Sequence, residues 1–240
     1  MTSQPASSLL PPPDQKAGYV RNMFNRIAGR YDLLNRLMAL GRDISWRKEL
    51  IGMLSPQAGQ HVLDVGSGSG DLALLLWQRC PEVRLVACDF SIEMIKRARQ
   101  RPGAEHVRWV IADGMNLPFA GEAFDQVVSG FFMRNAPDAA GAVQEQYRVV
   151  GRQGKVGVLD TTPLNPGPFR PLLSFYLDKV IPWVGALVGG DREAYRYLAV
   201  STRSFVRAEK LAHLMETAGF RQVRFIRRMF GSVALHVGEK

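Results

Sequence analysis

The chain has 240 residues, of which 46% are hydrophobic, and its 31 Lys and Arg against 22 Asp and Glu give a formal net charge of +9. This length and this hydrophobic fraction suffice for one sizeable core, so a single α/β domain is expected. Two cysteines exclude a disulfide framework, and no run of about 20 uncharged apolar residues predicts a membrane-spanning helix.

The N-terminal residues predict a leader followed by a helical cap. Residues 1–18 begin with a stretch rich in Ser, Pro and Ala that lacks the basic and apolar regions of a signal peptide, so we expect a disordered leader. Residues 19–240 then form the single domain. Within it, residues 19–54 have a helical pattern and are predicted to cap the ligand pocket.

Short apolar runs alternate with helical patterns through the middle of the chain. Strands are predicted at residues 61–65, 83–89, 107–113, 124–129 and 155–160. Helices are predicted at residues 72–79, behind the candidate N-cap Ser91, and at residues 139–150. This alternation predicts a parallel sheet with helices on both faces.

The last third of the chain departs from this rhythm. Residues 163–190 contain five prolines among large apolar residues, which makes the segment too apolar for a linker and too broken for a core helix. A helix at residues 208–218 is predicted to end at Gly219. Two strands, at residues 222–230 and 232–238, are predicted to form a terminal antiparallel pair and bring the sheet to seven strands.

A glycine-rich loop joins the first predicted strand to the first helix after it. The strand ends in Asp64, and the glycines that follow permit a tight turn and bring backbone N–H groups close to a ligand. The spacing is G-x-G-x-G, and Asp71 stands where the dinucleotide pattern G-x-G-x-x-G has its third glycine. A carboxylate at that position disfavours a pyrophosphate and suits a ligand that carries a sulfonium cation and an ammonium group.

Two further aspartates end the next two predicted strands. Asp89 could accept hydrogen bonds from both hydroxyls of a ribose, and Asp113 could accept one from the amino group of adenine. Each aspartate alone would be interpreted as a helix cap or a turn residue. Three acidic strand ends on one rim of a parallel sheet instead match the place where such sheets bind ligands. The pattern therefore predicts S-adenosylmethionine (SAM) as a methyl-donating co-substrate.

Further stretches, spread over about residues 20–238, carry a resemblance. They are Phe24-Asn-Arg-Ile-Ala-Gly-Arg-Tyr-Asp-Leu-Leu-Asn35, Trp46-Arg47, Asp113-Gly-Met-Asn-Leu-Pro-Phe119, Arg134-Asn135, Arg148-Val-Val150, Tyr195-Arg-Tyr-Leu198 and Gly231-Ser-Val-Ala-Leu-His236. Together with the glycine loop they resemble the ubiquinone/menaquinone biosynthesis C-methyltransferase family.

The resemblance implies the Rossmann-like α/β fold of class I SAM-dependent methyltransferases and methylation of a ring carbon on a polyprenylated quinol. Demethylmenaquinol is the first expectation for the substrate, and a methoxy-polyprenyl-benzoquinol is the alternative. SAM contacts are expected from the glycine loop and the strand ends, which comprise Asp64, Gly66, Gly68, Ser69, Gly70, Asp89, Phe90, Asp113, Gly114 and Gly130.

The chain departs from the family pattern in four places. Residues 67–70 read Ser-Gly-Ser-Gly where the family usually has Gly-Gly-Thr-Gly, and Ser69 keeps the hydroxyl. Gly130 takes the place of a family serine. Residues 160–162 read Asp-Thr-Thr in place of Glu-Phe-Ser, and residues 151–154 read Gly-Arg-Gln-Gly in place of Lys-Pro-Gly-Gly. The change at residues 160 and 161 faces the predicted pocket and leaves the identity of the substrate open.

Arg134 and Asn135 follow the fourth predicted strand, on the rim that carries the glycine loop. We predict that they orient the quinol oxygen, with Arg134 favouring its anion. The alternative for Arg134 is a pairing with a structural carboxylate. Tyr31 is a second candidate for the ring pocket, and a core tyrosine is its alternative. Asp113 and His236 are candidates for the base that removes a proton, and the sequence assigns neither.

Residues 163–200 are predicted to cover an apolar substrate, and Tyr176 and Trp183 within them suit a membrane interface. With the net positive charge, this predicts a cytoplasmic enzyme that contacts the inner face of the membrane peripherally. A cap over the core and a homodimer contact are the alternatives. The motifs of nucleic-acid methyltransferases are missing, and no metal is expected. A methyltransferase of a soluble aromatic molecule and a non-catalytic SAM- or quinone-binding protein remain open.

Overall fold

The computed structural model describes residues 11–164 and 191–240, and within these ranges seven strands form one mixed sheet. The strands are β1 (His61–Val65), β2 (Arg84–Asp89), β3 (Val107–Ile111), β4 (Phe124–Gly130), β5 (Val150–Thr161), β6 (Arg221–Arg228) and β7 (Val233–Glu239). Their order is β3-β2-β1-β4-β5-β7-β6. The first five strands are parallel, and β7 pairs antiparallel with β5 and β6, which confirms the predicted architecture.

Eight α-helices accompany the sheet in the described ranges, and several begin or end at the predicted signals. They are α1 (Pro13–Ile27), α2 (Tyr31–Met38), α3 (Asp43–Leu54), α4 (Asp71–Arg79), α5 (Ile92–Arg99), α6 (Ala139–Val149), α7 (Arg192–Ser204) and α8 (Ala208–Ala218). The Ser91 hydroxyl accepts the N–H of Met94 at the start of α5, as an N-cap does. Gly219 ends α8 in the left-handed conformation.

The core lies on both faces of the sheet. Val62 packs on the face that α3 and α4 cover, whereas the next residue, Leu63, packs on the face that α6 and α8 cover. Because both faces are covered, β1 is apolar along most of its length and does not alternate with polar residues. This double burial explains why the strands were recognisable as short apolar runs.

The N-terminal boundary differs from the prediction. Helix α1 begins at Pro13, so residues 13–18 are helical and do not belong to a disordered leader. A proline is well placed at the first helical position because its missing N–H would have no intrahelical partner there. The proline run before residue 14 therefore marks a helix start. Residues 1–10 lie outside the described ranges.

Two other segments differ from the prediction or lie partly outside the described residues. β5 begins at Val150, five residues before its predicted start, because its pairing with β4 continues across a register shift between Phe124 and Gln126. Of the predicted substrate cover at residues 163–200, residues 165–190 lie outside the described ranges, and α7 begins at Arg192. Among the described helices, none combines the length and the apolar character that crossing a bilayer requires.

Candidate active site

The glycine loop turns tightly between β1 and α4. Gly66 has a φ of +67°, and a Cβ there would stand 2.6 Å from Cδ2 of Phe132. Gly70 has a φ of +88°, and a Cβ there would stand 2.6 Å from Cη2 of Trp109. Both the left-handed backbone and the close packing require glycine. The loop is therefore held in one shape by the aromatic side chains around it.

A cavity that is open to solvent lies beside this loop. Many of the residues predicted to bind the cofactor line it, together with two of those predicted to bind substrate: Tyr31, Gly66, Gly68, Asp89, Phe90, Asp113, Gly114, Gly130 and Asn135. These residues come from four strand ends and the N-terminal cap. The parallel topology brings them to one rim, as the sequence predicted.

Asp89 lies at the centre of the rim and is buried. Its Oδ2 accepts the N–H of Gly68 at 2.8 Å, and its Oδ1 accepts the N–H of Ser91 at 2.8 Å. Burial raises the pKa of Asp89 to about 6, although these backbone hydrogen bonds favour the charged form. A carboxylate has about four acceptor sites, so both oxygens can accept further hydrogen bonds from a ligand.

Three of the predicted cofactor residues, Asp64, Ser69 and Gly70, are not among those lining the cavity. Asp64 is fully buried, and burial raises its pKa to about 7 while the charge of Arg47 opposes the rise. The Ser69 hydroxyl donates a short hydrogen bond to Asp32, which also pairs with Arg97 at 3.2 Å. These residues support the glycine loop without lining the cavity.

The interpretation of Asp71 was wrong. Its carboxylate pairs with Arg101 at 2.7 Å and lies 3.5 Å from Arg36 and 3.8 Å from Arg47, so it faces guanidinium groups rather than the ligand cavity. Arg101 also donates to the carbonyl of Ser69 at 2.9 Å. Asp71 therefore anchors an arginine that holds the glycine loop. The spacing of the glycines shows where the backbone approaches a ligand, but it does not show where the next side chain points.

A second cavity, also open to solvent, shares Phe131 with the first in its lining. It is lined by polar and apolar residues from α2, α3, the ends of β4 and β5, α7 and the turn before β7: Asn35, Met38, Ala39, Asp43, Trp46, Phe131, Arg134, Thr161, Thr202, Met229, Ser232 and Val233. The mixed lining suits a ligand with an apolar body and a few polar groups.

Phe131 is the wall that the two cavities share. It has a φ of +60°, which is uncommon for a residue other than glycine and is found at functional sites. The guanidinium carbons of Arg47 and Arg134 each lie 5.2 Å from the centre of its ring. These cation–π contacts hold the ring between the cavities.

Arg134 lines the second cavity and is 4% exposed. Its Nη1 donates to Oδ1 of Asp160 at 3.0 Å, and its backbone N–H donates to Oδ2 at 3.1 Å. The carboxylate partner that the sequence left as an alternative is therefore present. Burial raises the pKa of Asp160, and Arg134 opposes the rise. The Nε of Arg134 has no hydrogen-bond partner among the described residues.

The other predicted catalytic residues divide between the cavities and the core. The Tyr31 ring packs over the loop, 3.6 Å from where a Cβ of Gly68 would stand, and burial raises the pKa of its hydroxyl. Asn135 donates to the carbonyl of Phe131 at 2.9 Å. Asp113 is exposed at the rim.

His236 lies on β7 and is not among the residues lining either cavity. Its Nε2 lies 2.9 Å from the carbonyl oxygen of Ala208. Burial lowers its pKa to about 4, and its position outside both cavity linings separates it from the candidate site.

The sequence did not single out Asp43 or Phe131, whereas the helical cap predicted at residues 19–54 includes the part of α1 that forms a roof over the first cavity. Ala17, Val20 and Phe24 of α1 line that cavity. The half-buried Lys16 donates through Nζ to the carbonyls of Arg134 at 3.1 Å and Ala136 at 2.6 Å. The spacing of Asp43 and Arg47, four residues apart on one helix, was a signal for an ion pair, which the structure shows at 2.9 Å.

Known proteins match this chain over most of its length. A sequence model described as the ubiE/COQ5 methyltransferase family matches residues 13–240. The chain is 40% identical to a demethylmenaquinone methyltransferase of Thermus thermophilus over 91% of this chain and 100% of the relative. It is 39% identical to a ubiquinone/menaquinone biosynthesis C-methyltransferase of Desulfotalea psychrophila over 92% of this chain and 90% of the relative.

Solved structures of methyltransferases share the fold. One is a SAM-dependent methyltransferase of Thermotoga maritima, described as a possible histamine N-methyltransferase. It superposes with a TM-score of 0.64 at 18% identity and covers 91% of this chain and 99% of its own. Another is phosphoethanolamine N-methyltransferase 2 of Haemonchus contortus in complex with S-adenosylhomocysteine, with a TM-score of 0.63 at 13% identity over 82% of this chain and 52% of its own.

Proposed function

Since the chain belongs to the ubiE/COQ5 methyltransferase family, we propose that it transfers a methyl group from SAM to a ring carbon of a polyprenylated quinol. Demethylmenaquinol is the preferred acceptor, and a methoxy-polyprenyl-benzoquinol is the alternative, because relatives of both names match nearly the whole chain. The observation that carries the proposal is the pair of cavities that meet at Phe131. One has the features of a nucleoside site, and the other has those of a site for an apolar ring with polar substituents.

The first cavity fits SAM. The buried carboxylate of Asp89 stands at the end of β2 and can accept hydrogen bonds from the ribose hydroxyls. Phe90, Met94 and Ala112 give the cavity apolar walls suited to adenine. A Cβ on Gly114 would meet Phe132 at 2.5 Å, so the backbone there is closely packed against the cavity wall. When bound, SAM supplies an electrophilic methyl group at its sulfonium centre.

The second cavity fits the quinol ring. Trp46, Met38 and Met229 supply apolar surface, and Arg134 supplies a positive charge. A hydroquinone ring carbon becomes more nucleophilic as negative charge develops on the neighbouring oxygen. A buried guanidinium stabilises that charge strongly because water is excluded. The rest of the catalysis is positioning, since methyl transfer requires the ring carbon in line with the donor. Phe131 stands where the two reactants meet.

The experiment is a methyl-transfer assay with labelled SAM and two short-chain acceptors, a demethylnaphthoquinol and a methoxy-benzoquinol, under reducing conditions. We expect the labelled methyl group on a ring carbon of the naphthoquinol, with S-adenosylhomocysteine and the displaced ring proton as the other products. We also expect a large loss of kcat in Arg134→Lys, with SAM affinity retained. Lysine keeps the charge but lacks the planar fork that holds both Asp160 and the substrate. Labelling of neither quinol by the wild-type protein would refute the proposed function.

A peripheral membrane contact is the second part of the proposal. Trp183 and Tyr176 lie outside the described residues, but α2 offers a surface of its own. Leu33 and Leu37 are four residues apart on one face of α2, and Leu40 lies in the turn that follows the helix. The three side chains are 52%, 39% and 66% exposed. The arginines at positions 30 and 42 lie near the two ends of this segment. Exposed leucines bordered by arginines fit the surface of a bilayer that contains anionic lipids.

Sedimentation with vesicles of phosphatidylcholine and phosphatidylglycerol tests this contact. Leu33→Ser/Leu40→Ser should lower the bound fraction severalfold while the activity on a short-chain quinol stays unchanged. Ile92→Ser/Ile111→Ser is the matched control, because both isoleucines are exposed elsewhere, at 45% and 56%. Equal binding by all three proteins would refute the contact. Conversion of a dimer to a monomer by the leucine variant would show that a second copy covers this face instead.

A further inference from the structure

Two buried side chains of opposite charge line the second cavity, and each has one unsatisfied polar atom. Asp43 is 1% exposed and Arg134 is 4% exposed. Oδ1 of Asp43 and Nε of Arg134 have no hydrogen-bond partner among the described residues. Buried polar atoms are nearly always hydrogen-bonded, because burying one without a partner is costly. An acceptor and a donor that both lack a partner on one cavity indicate a ligand that has both kinds of group.

Each of these side chains is fixed by its other atoms. Oδ2 of Asp43 accepts from Arg36 at 2.7 Å and from Arg47 at 2.9 Å. Nη1 of Arg134 donates to Asp160 at 3.0 Å. The two ion pairs hold the side chains in place, so Oδ1 of Asp43 and Nε of Arg134 are preorganised and pay little entropy when a ligand binds.

Both side chains are tied to the wall where the cavities meet. Asp43 pairs with Arg47, and the guanidinium groups of Arg47 and Arg134 each contact the ring of Phe131. A ring held between Asp43 and Arg134 would therefore lie beside Phe131, next to the first cavity. This is where an acceptor ring must lie if the methyl donor occupies the first cavity, so the inference rests on the proposed function.

The chemistry of the pair distinguishes two oxidation states of the same ring. Both oxygens of a hydroquinone carry a proton, so one hydroxyl can donate to Asp43 while the other oxygen accepts from Arg134. Both oxygens of a quinone are acceptors only. A quinone carbonyl placed against Asp43 would face a carboxylate oxygen. Because both oxygens are acceptors, neither would gain a hydrogen bond in this buried site.

We propose that Asp43 and Arg134 form an acceptor–donor pair that selects the reduced quinol over the oxidised quinone and sets the orientation of its ring. Asp43 is a specificity-determining residue in this assignment. Its hydrogen bond to the ring hydroxyl also raises the electron density of the ring, whose carbon is the nucleophile. The oxidised ring, which has no nucleophilic carbon of this kind, is kept out of the site.

Equilibrium dialysis under anaerobic conditions tests the selection with two planar ligands of equal size, 1,4-dihydroxynaphthalene and 1,4-naphthoquinone, in the presence of S-adenosylhomocysteine. The wild-type protein should bind the diol at least about tenfold more tightly, as expected when a charged hydrogen bond is lost. Asp43→Asn should bring the two affinities within about threefold, because an amide can also donate to a carbonyl.

Asp71→Asn is the matched control. Asp71 lies near the same two arginines, Arg36 and Arg47, but it is not among the residues lining either cavity. Its replacement should change both affinities by the same factor and leave their ratio as in the wild type. Equal binding of the two ligands by the wild-type protein would overturn the proposal even if Asp43→Asn does not fold. A ratio that persists in Asp43→Asn would also overturn it.

The assay separates this inference from the proposed function. If the wild-type protein methylates a quinol and the ligand ratio is one, the selection by Asp43 fails and the activity stands. If the wild-type protein binds the diol selectively and methylates no quinol, the proposed function fails. Both the ratio and the methylation are measured on the full chain.

Discussion

Replacing Asp64 with Asn should change how the free energy of unfolding depends on pH. Asp64 is fully buried under the glycine loop, and burial raises its pKa from 3.8 to about 7. Above both pKa values the folded protein carries a buried charge that the unfolded chain exposes to water. This difference of about three units corresponds to about 4 kcal/mol of lost stability, at about 1.4 kcal/mol per unit. Asparagine resembles the protonated carboxyl and avoids the loss.

The direction of this pH dependence follows from the number of protons that each state binds. Between about pH 4 and pH 7 the folded state holds a proton on Asp64 that the unfolded state has released, so the stability contributed by this residue falls as the pH rises through that window. The advantage of Asp64→Asn over the wild type should therefore grow by about 2.5 kcal/mol between pH 5 and pH 8. Below about pH 4 the two proteins should be equally stable at this position.

Urea denaturation at intervals from pH 5 to pH 8, with the m-value checked at each, measures this difference. Asp191→Asn is the control. Although burial opposes it, the hydrogen bond from Arg26 lowers the pKa of Asp191, so that group is ionised in both states throughout this range. Its stability difference should not vary with pH. A difference for Asp64→Asn that is constant from pH 5 to pH 8 would refute the reasoning about its burial.

Four further outcomes are expected. Asp160→Ala leaves the guanidinium of Arg134 buried without its carboxylate, so denaturation should show a loss of about 3–5 kcal/mol, and a loss under about 1 kcal/mol would contradict the buried pair. Gly66→Ala adds a methyl group 2.6 Å from Phe132 at a φ of +67°. Thermal unfolding should therefore show a loss of stability of at least about 2 kcal/mol, and SAM binding should weaken. Gly130→Ala, with 3.6 Å to its nearest neighbour, should be near neutral for stability. Dialysis at a series of pH values should show that the affinity for S-adenosylhomocysteine falls about tenfold per pH unit below about pH 6. The reason is that burial raises the pKa of Asp89 to about 6 and its charged form is the acceptor. An affinity that does not change with pH would exclude Asp89 as a ribose ligand.

The sheet and its ligand rim were predictable because they depend on backbone pattern. Strands buried on both faces are apolar along their length, and the carboxyl ends of parallel strands meet at one edge. Asp89 and Asp113 follow neighbouring strands, so their approach to the glycine loop followed from topology alone. No side-chain conformation was needed for that inference.

The same reasoning could not predict which side chains pair with each other. Arg134 and Asp160 are 26 residues apart, and their contact depends on the adjacency of β4 and β5 and on the rotamer of the arginine. The position of Asp71 in the glycine pattern predicts a side chain that faces the ligand, but three guanidinium groups from other segments surround its carboxylate. Asp43 gave no signal of a cavity, since α2, α3 and β7 come together only in the folded protein.

The hydrogen bonds of Lys16 connect the two cavities through the N-terminal helix. Helix α1 roofs the first cavity, and the Lys16 ammonium group donates to the carbonyls of Arg134 and Ala136 in the turn that follows β4. Arg134 in turn lines the second cavity. One side chain therefore joins the roof of the first cavity to a wall of the second, so the positions of the two are mechanically coupled.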